Sequence, residues 1–248
     1  MAGLRAIPLA VTAALAFVLL GAGGWVSTPA QPEPAALAAL VPGANVAVDL
    51  DPWIAFLPSH PQETGLILYP GARVDPRVYA GAARAIAEHG YPTLIVPMPL
   101  NLAMLAPERG LEVIRSFPQV KRWVVGGHSL GGAMAARFAL SHPALIHGLV
   151  LWASRPTAAD DLSSLAFPVA SIYATEDVLM DPQTIAAARG LLPPDTTFVE
   201  IAGGNHAQFG RYPPQPGSRP ASISPDEQQD LVVQATLALL AEVDDARP

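Results

Sequence analysis

Gly127-His128-Ser129-Leu130-Gly131 follows the apolar run Trp123-Val124-Val125 and opens a stretch of small residues, Gly132, Ala133, Ala135 and Ala136. A serine spaced two residues from a glycine on either side, between a strand and a helix, suits a sharp turn that exposes its hydroxyl. Larger side chains at the two glycines would collide with that turn. The helix that follows aims its first amides at the hydroxyl, so the Leu130 N–H is expected to donate to an oxyanion formed there. This context, and not the five-residue pattern alone, marks Ser129 as a candidate nucleophile. His128 adjoins it, but its side chain must leave the turn in another direction, so it is expected to pack or hydrogen-bond beside the turn.

Three phrases together carry a family resemblance: Tyr69-Pro70-Gly71-Ala72, Gly126-Gly127-His128-Ser129-Leu130-Gly131-Gly132-Ala133-Met134, and Gly203-Gly204-Asn205-His206-Ala207-Gln208-Phe209-Gly210. Over about residues 54–240 the chain resembles the α/β-hydrolases, within them a bacterial group similar to dienelactone-hydrolase-like proteins. Dienelactone hydrolases proper use a cysteine nucleophile, and this chain has no cysteine, so their substrate is not carried over.

A serine needs a base within reach, and the base needs a carboxylate behind it. The resemblance implies the chain order serine, acid, histidine. After Ser129, the apolar run Val169-Ala170-Ser171-Ile172-Tyr173 leads into Ala174-Thr175-Glu176-Asp177, and the family places its acid in the loop after this strand. Asp177 is therefore the expected acid, with Glu176 in reserve. Asp181 is set aside because Pro182 marks it as a helix cap. Of six histidines only His206 follows the acid, and a glycine-rich turn lets it fold back toward Ser129. It is the expected general base. The family motif at Gly71-Ala72 implies a second oxyanion donor, the Ala72 amide. Met98, Asn101, Met104 and Trp152 follow strand ends and are candidates for the substrate pocket, with ordinary packing the competing reading. Arg73 could attract an acidic substrate, or be an ordinary surface arginine.

These groups must be held by a scaffold, and the chain writes one in alternating signals. Short apolar runs at Gly65–Tyr69, Thr93–Val96, Trp123–Val125, Gly148–Trp152 and Val169–Tyr173 suit central parallel strands covered on both faces. Val46–Leu50 and Ile54–Leu57 read as early strands near a sheet edge, with Pro52 and Pro58 bracketing the second. Asp75-Pro76 and Asp181-Pro182 are helix starts, Gly90 is a helix stop, and Ser224-Pro225-Asp226-Glu227 is a capping box opening a last helix to about Val243. The expected fold class is α/β, a doubly wound, mostly parallel sheet. With only Ala153–Pro168 between two strands where lids are often inserted, little or no cap domain and an open pocket are expected.

At 248 residues and 51% hydrophobic content, one catalytic domain over 41–248 is the economical division. A formal charge of −7 argues against nucleic acid as a partner. The missing cysteines exclude a thiol nucleophile, disulfides and thiolate metal sites. No H-E-x-x-H spacing and no G-x-G-x-x-G after a strand occur, so neither metal nor cofactor is expected. Residues 1–40 read as a signal-anchor or signal peptide plus a Pro-rich linker: Arg5 precedes an uncharged run from Ile7 to Val26, long enough as a helix to reach about 30 Å. Uncleaved anchoring is favoured over cleavage, and either exports the domain, membrane-bound or secreted. The activity expected is serine hydrolysis of small carboxylic esters. The alternatives are a membrane-tethered binding module that has lost its chemistry, and acyl transfer to peroxide or another acceptor.

Overall fold

The computed structural model describes residues 28–246. Its eight strands are β1 (Val46–Asp49), β2 (Ile54–Pro58), β3 (Thr64–Tyr69), β4 (Thr93–Ile95), β5 (Arg122–His128), β6 (Ile146–Trp152), β7 (Val169–Ala174) and β8 (Thr197–Ile201). They form one sheet in the order β1-β2-β4-β3-β5-β6-β7-β8. β1 pairs antiparallel with β2, and β2 antiparallel with β4; the other neighbours run parallel. The apolar runs expected to be central strands are the central strands, and the two early runs lie at one side of the sheet, β1 at its edge and β2 next to it.

Helices α1 (Pro34–Ala38), α2 (Ala80–Glu88), α3 (Gly110–Ser116), α4 (Leu130–Ser141), α5 (Pro182–Ala187) and α6 (Pro225–Asp245) fill the connections. Period-two alternation along the strands divides the core. Leu66, Leu68, Val124, Val150 and Ile172 point to the face covered by Ala83 and Ile86 of α2 and Val232, Leu239 and Leu240 of α6. Ile67, Tyr69, Val125, Leu149 and Leu151 point to the face covered by Val113 of α3 and Met134, Ala135 and Phe138 of α4. Both faces are buried, which is why these strands read as continuous apolar runs.

The helix signals act as read. Asp181 accepts from the Thr184 amide (2.7 Å) and Ser224 from the Glu227 amide (3.1 Å); each such cap contributes about 1 kcal/mol. Asp75 caps too, accepting from the Arg77 amide, but the turn it opens is 3-10 before α2 proper begins. At the far end of the sheet the carboxylate of Asp244 accepts from the Thr64 hydroxyl (2.5 Å) and the Arg122 guanidinium (3.0 Å), pinning the end of α6 to the starts of β3 and β5.

The stretch expected to be linker up to residue 40 packs on the domain from residue 28. Ala30 bridges Val74 in parallel, the Glu33 amide donates to the Arg211 carbonyl (2.8 Å), Ala36 is fully buried, and Arg84 donates to the Ala39 carbonyl (2.7 Å). Its prolines start a helix at Pro34 and hold extended backbone, and so preset a docked segment. Among the described residues no helix is long and apolar enough to cross a membrane; the expected anchor, Ile7 to Val26, lies outside them.

Candidate active site

Strand order reverses at β3: the chain leaves β3 for β4 on one side and returns to β5 on the other. Open parallel sheets bind ligands in the crevice at such a point, beyond the carboxyl ends of the strands. The turns after β3 and β5 here carry Gly71-Ala72 and Ser129.

Ser129 sits at φ 53° and ψ −123° between β5 and α4. A non-glycine residue in such a region costs on the order of 1–3 kcal/mol and persists only where its surroundings force it. Here the Ser129 amide donates to the Trp152 carbonyl (3.0 Å), and the Ser154 hydroxyl donates to the Ser129 carbonyl (2.6 Å). The flanking glycines are required by close approach. A Cβ on Gly127 would stand 2.5 Å from the Gly131 carbonyl carbon, and one on Gly131 would overlap the Tyr69 carbonyl oxygen.

The imidazole of His206 lies in the loop after β8, its Nδ1 2.7 Å from Oδ2 of Asp177. The other carboxylate oxygen, Oδ1, accepts from the Leu179 amide (2.8 Å) and the Met180 amide (2.9 Å). Both partners are buried. Glu176 uses its backbone amide to donate to the Gly204 carbonyl (2.9 Å), tying the acid loop to the histidine loop. A second tie comes from α6. The buried Gln228 accepts from the Asn205 amide (2.9 Å) and donates to the Asn205 carbonyl (2.8 Å). The Gly203 amide donates to the Thr175 hydroxyl (2.8 Å). The residue before His206 is thus clamped on both backbone groups.

His128 takes a place beside the turn. Its Nδ1 lies 2.8 Å from the Tyr79 hydroxyl, which itself accepts from the Gly71 amide (3.0 Å). With its hydrogen given to Nδ1, the Tyr79 hydroxyl links the turn after β3 to the turn after β5. The His128 ring stacks on Phe209 and lies 4.5 Å, centroid to centroid, from the His206 ring. Full burial, with the neighbouring His206 adding to it, holds His128 well below the usual histidine pKa, so it stays neutral. Tyr79 takes up the Gly71 amide, whereas for the amides of Ala72, which lines the cavity described next, and of Leu130 no backbone acceptor is found among the described residues.

One cavity of about 190 Å³ gathers Ser129, His206, His128, Ala72, Leu179 and Tyr212. Tyr212 and Gln215, from the Pro-rich loop after the histidine, line it too. The Tyr212 hydroxyl is buried with no partner among the described residues, and burial with the nearby Asp177 charge pushes its pKa far up, so it remains a neutral O–H.

None of the four residues expected in the pocket lines this cavity. Trp152 is fully buried and its Nε1 donates to the Thr236 hydroxyl of α6 (3.1 Å); Met98 packs in the opposite core layer. Trp152 faces the core because alternation along β6 turns it there, whereas Met98 lies past the end of β4. Asn101 uses its carbonyl to accept from the Arg73 amide (2.8 Å), and Met104 is exposed. Tyr79, Tyr212 and Leu179 escaped the sequence reading. Leu179 and Tyr212 sit in loops after β7 and β8, and a tyrosine set among prolines six residues past the histidine was the one available signal.

The family model matching residues 65–230 is that of the alpha/beta hydrolase family. The chain belongs to that family. Solved structures agree in fold at low identity. Est1E from Butyrivibrio proteoclasticus, with ferulic acid bound, superposes at a TM-score of 0.58 with 14% identity, covering 78% of this chain and 98% of that one. A monoacylglycerol lipase from Paleococcus ferrophilus gives 0.57 at 13%, covering 77% and 98%. A dienelactone hydrolase from Anabaena variabilis gives 0.53 at 18%, covering 78% and 96%. No curated protein sequence matches. The α/β hydrolase fold expected from the three phrases is therefore the fold of this chain, and hydrolase is its class.

Proposed function

We propose that this α/β hydrolase cleaves small carboxylic esters through an acyl-enzyme on Ser129. The observation that carries the reading is the placement of Ser129 and His206 in one cavity, with the far nitrogen of His206 on a carboxylate whose other oxygen is held by two backbone amides.

Asp177 fixes the imidazole with its proton on Nδ1, leaving Nε2 as the base. Nε2 takes the Ser129 proton as Oγ bonds to the ester carbonyl carbon, and the carbonyl electron pair moves onto oxygen. The Ala72 and Leu130 amides donate to that oxyanion; a preorganised donor of this kind contributes about 2.7–4 kcal/mol. The pair returns, the C–O bond to the alcohol breaks, and His206 gives the alcohol its proton. Water then repeats the sequence on the acyl-enzyme, releasing the acid and restoring Ser129. Tyr79 and His128 act as positioning residues, because they fix the Gly71 peptide and hence the direction of the Ala72 amide. The cavity is smaller than the ~300–1,000 Å³ of sites for drug-sized ligands, which supports a short acyl group.

The test is labelling by a fluorophosphonate probe together with hydrolysis of p-nitrophenyl acetate. The parent should label and turn over, and Ser129→Ala, folded by circular dichroism, should do neither. Persistent labelling of that variant would remove Ser129 from the reaction.

A further inference from the structure

We infer that the catalytic end of the sheet lies against a lipid surface, and that the ester is drawn from that surface with its short acyl part in the cavity and a larger, apolar alcohol part in the adjoining groove. The substrate half of this inference rests on the ester-hydrolase reading.

Ten large hydrophobic side chains are exposed among the described residues, and five of them belong to two loops at the catalytic end: Leu100, Met104, Leu105, Val178 and Leu179. Scattered exposed apolar side chains need no explanation, but a concentration around one mouth marks a surface for apolar contact. The first three follow β4, and the last two follow Asp177. Both loops reach the cavity: Leu179 lines it, and the carbonyl of Asn101, next to Leu100, holds the Arg73 amide at its rim. Leu100 is 63% exposed and held at φ 52°, a backbone region leucine seldom occupies. Leu105 and Leu179 are 53% and 54% exposed.

The occupant is argued from where the chain arrives. Ala30 is fixed beside the turn that follows β3: its amide donates to the Arg73 carbonyl (2.8 Å) and its carbonyl accepts from the Asp75 amide (3.0 Å). The uncharged run of the sequence ends at Val26. Four residue steps separate it from Ala30, a contour of at most about 14 Å at roughly 3.5 Å per residue. If residues 7–26 enter a bilayer, the rim that meets it first is this one.

The groove gives the substrate its shape. Thr28, Ala30 and Gln31 form one wall, Pro213, Pro214 and Pro216 the other, around about 610 Å³, and Arg73 and Gln215 are shared with the smaller cavity. An acyl group must stay bonded to Ser129 between the two halves of the reaction, whereas the alcohol must leave. The cavity therefore suits the acyl part and the groove the alcohol.

The absence of cysteine makes the orientation measurable on the full chain in phosphatidylcholine vesicles. A nitrobenzoxadiazole label on Leu105→Cys should shift to the blue and be quenched by spin-labelled lipid. The same label on Lys121→Cys, just before the start of β5 and so at the opposite end, should do neither. Leu100→Asp/Leu105→Asp, in which aspartate tolerates the backbone at position 100, should keep p-nitrophenyl acetate turnover within about twofold and lose about tenfold on hexadecyl acetate in the same vesicles. Equal quenching at both positions, quenching only at 121, or vesicle turnover unaffected by the double variant overturns the inference. A parent that hydrolyses neither ester while label 105 is still quenched overturns the ester-hydrolase reading and leaves the docked orientation standing.

Discussion

Asp177→Asn separates chemistry from architecture at this site more cleanly than any truncation. Oδ1 of Asp177 accepts from two backbone amides, at 2.8 and 2.9 Å, and Oδ2 faces His206 Nδ1 at 2.7 Å. An asparagine has one acceptor and one donor end. Two N–H groups converging on one side require the oxygen there, so the NH₂ must face His206. Nδ1 then has to accept, the imidazole proton moves to Nε2, and Nε2 can no longer take the Ser129 proton. The side chain keeps its volume and both backbone hydrogen bonds, so the fold should survive. The wrong tautomer is expected to lower kcat by about 10⁴-fold, which corresponds to ~5.5 kcal/mol of barrier. KM should change little, since Asp177 is screened from the cavity by the imidazole. Steady-state turnover of p-nitrophenyl acetate, with thermal melts of both proteins, makes the measurement. A folded Asp177→Asn enzyme within tenfold of the parent would refute the argument, because it would mean that the imidazole tautomer is set by something other than this carboxylate.

Three further perturbations follow from the geometry. Gln228→Met removes the two hydrogen bonds to Asn205 at similar volume; leaving two buried backbone groups unpaired should cost about 1–3 kcal/mol each, and both the melting temperature and kcat should fall, whereas an unchanged kcat would show that the clamp does not position His206. Tyr212→Phe deletes a buried hydroxyl with no partner among the described residues, so it should raise the melting temperature with kcat/KM little changed, and a lower melting temperature would show that the hydroxyl is paired. Burial pushes the Asp244 carboxyl up, but the Thr64 hydroxyl and the Arg122 guanidinium outweigh it and hold the group below its ordinary 3.8. Its stabilisation is thus present above the unfolded value and lost as pH falls through the lower folded value. Asp244→Asn should destabilise at neutral pH, with the gap in urea midpoint closing below pH 3.8; a gap that stays constant into acid would show that the charge is not what holds α6 there.

The candidate site was legible in the sequence where its geometry is local. A serine turn is made by residues within a few positions of one another, so the spacing of Gly127, Ser129 and Gly131 announces it. Helix caps are equally local, and Asp181 and Ser224 accept the amides their positions implied. Glu176 and Asp177 are different. They are adjacent, of like charge and in the same loop after β7, and it was the family resemblance, not a local pattern, that favoured Asp177. What separates them is that the chain turns at Asp177 so that two amides converge on it, a fact of the folded loop.

The pocket was not legible, for a physical reason. Alternation along a strand shows that Trp152 is buried but not which partner takes its indole; that partner is Thr236, supplied by a helix 84 residues on. The cavity wall is assembled from the ends of β3, β5, β7 and β8, and its members share no spacing in the chain. Residues 28–40 make the same point: their prolines read as a spacer, and only the bridge to Val74 shows that they dock beside the catalytic end. The sequence by itself determined the strands, their order of apolar runs, and a serine on a strained bend. Tertiary structure decided which carboxylate faces His206 and which loops line the cavity with Ser129, because convergence depends on contacts between residues far apart in the chain, and no local pattern encodes those.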